Sequence, residues 1–240
     1  MNEQTTTQGP HQGQEILTAG KPLAKPIGGS TSIQAPELAV EAAQAAMILI
    51  HGRGASAYDI MELGLLLSGD QLALLAPQAA GSTWYPYSFL APIASNEPYL
   101  TSALQTVAGL VAQVEKSGIP ADKIVLAGFS QGACLASEFA ARSPRRYGGL
   151  LIFSGGLIGP PGTPRDYPGS LDGTPVFSGC SDIDAHIPLA RVQETTAVLS
   201  ALGARVNEKI YPGMGHTIIQ DELDQAQKIV DTILIFCLAT

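Results

Sequence analysis

Short apolar runs alternate with segments of helical periodicity along most of this chain. The runs AAMILI (45–50) and LALLAP (72–77) are continuously apolar, as in strands that are buried on both faces of a parallel sheet. The segment 98–118 instead repeats apolar residues at helical spacing and ends at Gly118. Because strand and helix alternate from residue 45 onward, the pattern predicts an α/β fold, a mostly parallel sheet with helices on both faces.

The remaining segments define the predicted domain boundaries. Residues 1–13 are polar and contain glycine, so we expect them to be disordered. Three prolines and two adjacent glycines make 22–41 a loop-rich excursion. No second core and no linker are evident, and we therefore predict a single domain over residues 14–240.

Charge and composition exclude several classes of function. A net charge of −8 argues against a nucleic-acid partner, which needs clustered lysine and arginine. Three cysteines without C-x-x-C spacing indicate neither a disulfide framework nor a zinc site, and we expect no metal and no cofactor. The N-terminus lacks the features of a Sec signal peptide and no run of 18 apolar residues occurs, so we expect a cytoplasmic protein without a membrane span.

The stretch GFSQG (128–132) has the pattern G-x-S-x-G between a predicted strand and a predicted helix. In this context the serine sits on a sharp strand-to-helix turn, and the glycines avoid collisions with neighbouring backbone. The helix N-terminus beneath the serine favours negative charge. We therefore predict that Ser130 is a catalytic nucleophile rather than a structural turn residue.

A serine hydroxyl needs an adjacent base, and in this kind of fold the order along the chain is Ser, then Asp or Glu, then His. His11 and His51 precede Ser130 and do not fit that order. His216 lies in a glycine-rich loop after a predicted strand and is the favoured base. His186 is interpreted as a loop or pocket-rim residue, because it lies too close along the chain to the candidate acids.

Two acids compete for the role of orienting the histidine. Asp182 and Asp184 both follow the predicted strand that ends in PVFSG, where such an acid belongs. Their position along the chain does not distinguish between them.

The turn HGRG (51–54) is the predicted second half of the site. A tetrahedral oxyanion needs preorganised N–H donors, and we expect them to be the backbone N–H groups of Arg53 and Gln131. His51 would then shape the turn as a structural residue. The Arg53 side chain is interpreted either as a solvated surface charge or as a contact for an anionic group of the substrate.

Taken together, these motifs resemble the phospholipase/carboxylesterase family of the α/β-hydrolases, which includes bacterial carboxylesterases and acyl-protein thioesterases. The matching pieces run in the family's order from residue 45 onward: LIHGRGAS, APQA, GFSQGA, SGG, GCSDIDAHIP and YPGMGHTI. The resemblance implies a compact α/β-hydrolase fold without a large cap domain. It also aligns Asp184 with the family's acid, four residues before Pro188. The residues Cys180 and Ser181 depart from the family's frequent His-Gly.

The resemblance implies a serine carboxylesterase that acts on a small-molecule ester of short to medium chain length through an acyl-enzyme. A thioesterase or lysophospholipase using the same residues is the alternative, and a non-catalytic binding protein on this scaffold is a third. The oligomeric state is left open, with a homodimer as one alternative. Aromatic and apolar residues near the site form the predicted substrate pocket: Trp84, Tyr85, Tyr87, Phe89, Phe129 and Leu157.

Overall fold

The computed structural model describes residues 9–21, 30–32, 43–67 and 71–238. Its strands are β1 Ile16–Gly20, β2 Ser30–Ser32, β3 Ala45–Ile50, β4 Leu72–Pro77, β5 Ile124–Phe129, β6 Gly149–Phe153, β7 Pro175–Ser181 and β8 Arg205–Tyr211. Its α-helices are α1 Ala57–Leu67, α2 Tyr99–Lys116, α3 Gln131–Arg142, α4 Leu189–Ala201 and α5 Gln220–Leu238.

All of these strands belong to one sheet, in the order β2-β1-β4-β3-β5-β6-β7-β8. Only the β1–β4 pair is antiparallel among the described pairings. Strands β3, β4 and β6 are buried along their whole length, which explains their unbroken apolar sequences. The predicted α/β architecture with a mostly parallel sheet is confirmed.

The helices cover both faces of the sheet and create a separate apolar core on each. Helices α2, α3 and α4 contribute Val107, Leu135 and Val192 to one core. Helices α1 and α5 contribute Ile60 and Val230 to the other. Alternate residues of the central strands face the two cores, so both faces of these strands are covered by helices. The loops at the carboxyl ends of the strands are not covered in this way.

Two segments differ from their predicted state. Strand β2 pairs in parallel with β1, although its polar sequence lies inside the excursion predicted as loop-rich. Residues 9–13 were expected to be disordered, but His11 is buried beside Trp84 and its backbone N–H bonds to Ser102 Oγ at 2.9 Å. Residues 1–8, 22–29, 33–42, 68–70 and 239–240 lie outside the described residues, and the single domain over 14–240 stays a prediction.

The loops that carry the predicted site residues share one edge of the sheet. The turn after β3 contains Arg53, Ser130 directly follows β5, Asp184 follows β7 and His216 follows β8. In open parallel sheets, the crevice outside the carboxyl ends of the strands is the place where ligands bind.

Candidate active site

The turn that carries Ser130 is determined by close backbone packing. Ser130 has φ 56° and ψ −118°, outside the regions that L-residues favour. A Cβ on Gly132 would collide with the carbonyl of Ile50, and one on Gly128 would collide with the backbone of Gly132. Ser130 N–H donates to the Phe153 carbonyl at 2.9 Å. The two glycines thus allow β5, β3 and α3 to meet where the serine emerges.

The structure brings Ser130, His216 and Asp184 together in one hydrogen-bonded chain. His216 Nε2 lies 2.8 Å from Ser130 Oγ, and His216 Nδ1 lies 2.6 Å from Asp184 Oδ2. A carboxylate at Nδ1 favours the tautomer in which Nδ1 carries the proton, since a carboxylate only accepts. Nε2 is then free to accept the proton of the Ser130 hydroxyl.

Asp184 rather than Asp182 is the acid that contacts His216. Its side chain is fully buried, and its Oδ1 accepts the N–H groups of His186 at 2.8 Å and Ile187 at 3.0 Å. Burial alone would raise the pKa of Asp184, but the bonds from His216 and from these two N–H groups outweigh it and hold the pKa below its ordinary value. Asp182 instead accepts the N–H of Gly213 at 2.8 Å.

Arg53 and Gln131, whose backbone N–H groups are predicted to bind an oxyanion, line the same cavity as Ser130. Gln131 begins α3, so its N–H has no acceptor within the helix. The turn before Arg53 packs against the serine, since a Cβ on Gly52 would lie 3.5 Å from Ser130 Cβ. Among the described hydrogen bonds, the Arg53 N–H has no acceptor. Neither N–H group is engaged by an acceptor among the described hydrogen bonds, so both can donate to an oxyanion.

His51 lies beneath this turn, completely buried. Its Nδ1 lies 2.7 Å from the Gly52 carbonyl and its Nε2 accepts the N–H of Ala79 at 3.1 Å. Burial lowers the pKa of His51 and favours the neutral ring. His51 therefore joins the turns after β3 and β4, in agreement with the structural role proposed for it.

A cavity of about 610 Å³ opens at Ser130 and His216. Four of the predicted pocket residues line it: Tyr85, Tyr87, Phe89 and Phe129. The prediction is wrong for Trp84 and Leu157, which are buried away from the cavity. Trp84 points into the core, where its Nε1–H donates to the His51 carbonyl at 2.9 Å, and Leu157 packs in the core on the α3 side of the sheet.

The Arg53 guanidinium has partners that neither sequence interpretation included. Its Nη1 donates to Thr83 Oγ1 at 2.9 Å and to the Pro86 carbonyl at 3.0 Å. Its Nη2 donates to the carbonyls of Tyr85 at 2.9 Å and Tyr87 at 2.8 Å. Arg53 thus holds residues 83–87, which we call the aromatic loop, against the turn after β3.

Gln131 holds the same loop through its side chain. Its Oε1 accepts the N–H of Trp84 at 2.9 Å, and its Nε2 donates to the Tyr85 carbonyl at 2.8 Å. The sequence suggested only a backbone role for Gln131. Its side chain adds a direct connection between the Ser130 turn and the cavity wall.

Two further residues lie near the site. From the sequence, His186 was interpreted as a loop or pocket-rim residue, whereas Glu222 was not assigned a role. His186 lines the cavity, and its ring packs edge-on against His216 at a centroid distance of 4.7 Å. The ring of Phe129 also contacts His216, at a centroid distance of 4.9 Å. Glu222 is buried below β7, where a Cβ on Gly179 would collide with its Oε1. Its Oε2 accepts the N–H of Ile219 at 2.9 Å at the start of α5.

The described residues contain no cluster of histidine, cysteine and carboxylate groups that could hold a metal ion. Cys134 and Cys180 are free thiols, and burial raises the pKa of each to about 12. The side chain of Cys237 lies outside the described residues. None of the described helices is both long and apolar enough to cross a membrane.

The fold and this site are those of an α/β-hydrolase. Residues 30–234 match the family model described as phospholipase/carboxylesterase, so the chain belongs to the phospholipase/carboxylesterase family, a family of serine hydrolases. The resemblance carried by the sequence motifs is thereby confirmed.

Solved structures agree with this assignment. The phospholipase/carboxylesterase from Dyadobacter fermentans is 42% identical and has a TM-score of 0.79, with 92% of this chain and 96% of that chain covered. Esterase PE8 is 27% identical with a TM-score of 0.65, covering 80% of this chain and 93% of that one.

Curated relatives match over a shorter length. Acyl-protein thioesterase 1 of Gibberella zeae is 34% identical over 121 residues, which are 49% of this chain and 51% of that protein. The protein of the same name from Debaryomyces hansenii is 30% identical over 123 residues, 51% of this chain and 53% of its own length. The matched part thus spans about half the length of these relatives.

Proposed function

We propose that this protein is a serine carboxylesterase that hydrolyses small carboxylic esters of short to medium chain length. The observation that carries the proposal is the hydrogen-bonded chain from Ser130 Oγ through His216 to the buried Asp184. The family assignment and the esterases among its structural relatives support it.

In the first half of the reaction, Ser130 Oγ attacks the acyl carbon while its proton passes to His216 Nε2. The carbonyl oxygen becomes an oxyanion that accepts the N–H groups of Arg53 and Gln131. Asp184 keeps His216 in the correct tautomer and stabilises the imidazolium that forms. The tetrahedral intermediate then breaks its bond to the alcohol oxygen, which takes the proton from His216 and leaves.

In the second half, water replaces the alcohol. His216 takes one proton from the water as its oxygen attacks the acyl-enzyme, and the same two N–H groups stabilise the second oxyanion. Breakdown returns the proton to Ser130 Oγ and releases the carboxylic acid. The reaction uses only groups of the chain and water.

Hydrolysis of a chromogenic butyrate ester by wild type and by Ser130→Ala tests the proposal. Loss of the nucleophile is expected to lower kcat by at least about 10³-fold, since the remaining donors supply only part of the rate enhancement. Ser95→Ala is the matched control, because Ser95 is exposed and outside the cavity lining. Equal turnover by wild type and Ser130→Ala would refute the assignment of the nucleophile.

Thioester hydrolysis is the second candidate, and the relatives named acyl-protein thioesterase 1 favour it. The same residues would serve, because the tetrahedral intermediate and its oxyanion are similar. Matched oxo- and thioesters of equal acyl length separate the two activities, and a lysophospholipid substrate tests the lysophospholipase alternative. A higher kcat/KM for thioesters at every chain length would replace the carboxylesterase proposal.

A cytoplasmic location is a further expectation, which the three cysteines without a disulfide-framework spacing support, and a homodimer is one alternative for the oligomeric state. Cell fractionation and light scattering of the purified protein test the two. Recovery in the membrane fraction would contradict the cytoplasmic location, and a monomer at all concentrations would exclude the homodimer alternative.

A further inference from the structure

The Arg53 side chain is a cation held rigidly at the cavity wall. All four N–H bonds of its two terminal nitrogens are directed to acceptors in the aromatic loop, at distances of 2.8 to 3.0 Å. A surface arginine normally loses side-chain entropy when it binds a ligand, which weakens the interaction. Here the guanidinium is already ordered, so its position does not depend on a ligand.

No carboxylate in the described part of the chain is paired with the charge of Arg53. Its hydrogen-bond acceptors are three carbonyl oxygens and one hydroxyl, all uncharged. Arg53 takes part in none of the ion pairs within the described part of the chain. A full positive charge therefore remains at the cavity, partly exposed to solvent.

The cavity lining contains no carboxylate among the described residues, although the chain as a whole carries a net charge of −8. Its other ionisable nitrogen groups are the imidazoles of His186 and His216. Asp184 lies close by, but its side chain is fully buried and paired with His216. The cavity thus differs in charge from the rest of the protein.

From this arrangement we infer that Arg53 selects ester substrates that carry a negatively charged group, such as a carboxylate a few bonds from the ester. The inference rests on the proposed ester hydrolysis. The Arg53 N–H is one proposed donor to the oxyanion, so its guanidinium lies within one side chain's length of the reacting carbonyl. A monoester of a dicarboxylic acid places its free carboxylate at that range, and the charge acts through space because the terminal N–H groups are engaged.

Matched esters test the inference on the acyl side and on the alcohol side. Monoethyl adipate is compared with ethyl hexanoate, and 4-butyryloxybenzoate with 4-butyryloxybenzamide. In at least one pair, wild type is expected to favour the anionic member by about fivefold in kcat/KM, the size of a partly exposed ion pair. The pair that shows the preference identifies the part of the substrate that faces Arg53. Raising the salt to 1 M should reduce the preference, because the screening length falls to about 3 Å.

Variants at Arg53 separate charge from loop packing. Arg53→Gln is expected to lose the preference for the anionic member, while Arg53→Lys keeps part of it, although both lower the overall rate by loosening the aromatic loop. Arg205→Gln is the control, since it removes the same charge from an exposed position at the amino end of β8, whereas the site lies at the carboxyl ends of the strands.

Each outcome addresses a specific claim. A preference that Arg53→Gln and Arg205→Gln both leave unchanged, or hydrolysis by wild type with no preference in either pair, would overturn this inference alone. Failure of wild type to hydrolyse any of the four esters or a chromogenic butyrate ester would overturn the proposed function and this inference with it.

Discussion

The turn that carries Ser130 and the loops that carry Asp184 and His216 meet in one hydrogen-bonded chain, but different forces hold them. On the Ser130 side, backbone segments pack so closely that only glycine fits at 128 and 132. On the Asp184 side, a buried carboxylate gathers one imidazole and two backbone N–H groups. The first side therefore depends on shape, whereas the second depends on charge and on pH.

The largest effect is expected from disrupting the close backbone packing of the turn that carries Ser130. Gly132→Ala would push a methyl group into the carbonyl of Ile50, and backbone cannot move aside as a flexible side chain can. We expect either insoluble protein or a folded protein whose activity has fallen by at least about 10³-fold, since the nucleophile and the Gln131 N–H both move. Circular dichroism and ester turnover measure the two results.

Gly109→Ala is the matched control for this substitution. Gly109 lies within α2 and has open space where a Cβ would be. Alanine there should raise the free energy of unfolding by about 0.5 to 1 kcal/mol, because glycine is a poor helix former. Normal folding and activity of Gly132→Ala would show that the turn does not depend on close packing.

The next largest effect comes from removing the charge on the other side. In Asp184→Asn, the amide nitrogen must face either the His186 and Ile187 N–H groups or His216 Nδ1, and neither arrangement preserves both sets of bonds. We expect kcat to fall about 10³- to 10⁴-fold, as when a histidine is held in the wrong tautomer. Steady-state kinetics with a chromogenic ester measure the loss.

Asp182→Asn tests whether this loss is specific. Asp182 accepts a backbone N–H from Gly213 and does not contact His216. Its substitution should lower kcat less than about tenfold, in the range of a single peripheral hydrogen bond. Equal losses in the two variants would mean that Asp184 has no special role.

We expect the free energy of unfolding to depend on pH through Glu222. This residue is buried below β7, the strand that Asp184 follows. Burial raises the pKa of Glu222 to about 7 and outweighs the opposing bond from Ile219 N–H, while the charge of Asp221 adds a smaller contribution. The folded protein therefore holds this proton more tightly than the unfolded chain does. Its stability should fall as the pH rises from about 4.5 to about 7, and stay lower above that range.

Glu222→Gln mimics the protonated carboxyl and should remove this loss. At pH 8 the variant is expected to exceed wild type by up to about 3 kcal/mol in the free energy of unfolding, and at pH 4.5 the two should agree. Denaturant titrations at both pH values measure the difference. Glu62→Gln, at an exposed position of α1, should show no such pH dependence, and an identical result for the two variants would refute the prediction.

The smallest of these effects is expected at the Gln131 side chain. Gln131→Met keeps the backbone N–H but loses the bonds to Trp84 N–H and the Tyr85 carbonyl. We expect a loss of about 1 to 2 kcal/mol in stability and about a tenfold lower kcat/KM, because the aromatic loop loosens. If close packing rather than charge holds the turn that carries Ser130, the loss of stability in Gln131→Met should be the same at pH 5 and pH 8.

The sequence was sufficient where local pattern determines structure. The strands Ala45–Ile50 and Leu72–Pro77 have their predicted bounds, since each is an apolar run that ends at a glycine-containing turn or a proline. The strand Ser30–Ser32 was missed because a polar triplet shows no alternation, and it forms only by pairing with β1.

Side-chain direction and long-range contacts could not be predicted in the same way. A run of aromatic residues in a loop does not reveal which rings face the core, and so Trp84 was wrongly assigned to the pocket. The partners of Arg53 lie 30 to 34 residues away along the chain. Glu222 has the sequence environment of an exposed acid in the first turn of a helix, and only the packing of α5 against β7 buries it.

The backbone angles of Ser130 have a consequence for how this protein would respond to selection. A φ of 56° with ψ −118° is costly for serine, by about 1 to 3 kcal/mol, but is accessible to glycine. Glycine at this position would relax the turn and remove the hydroxyl. A laboratory screen for heat resistance alone would therefore select Ser130→Gly, which is inactive. Only a screen that also requires turnover would retain the strained serine.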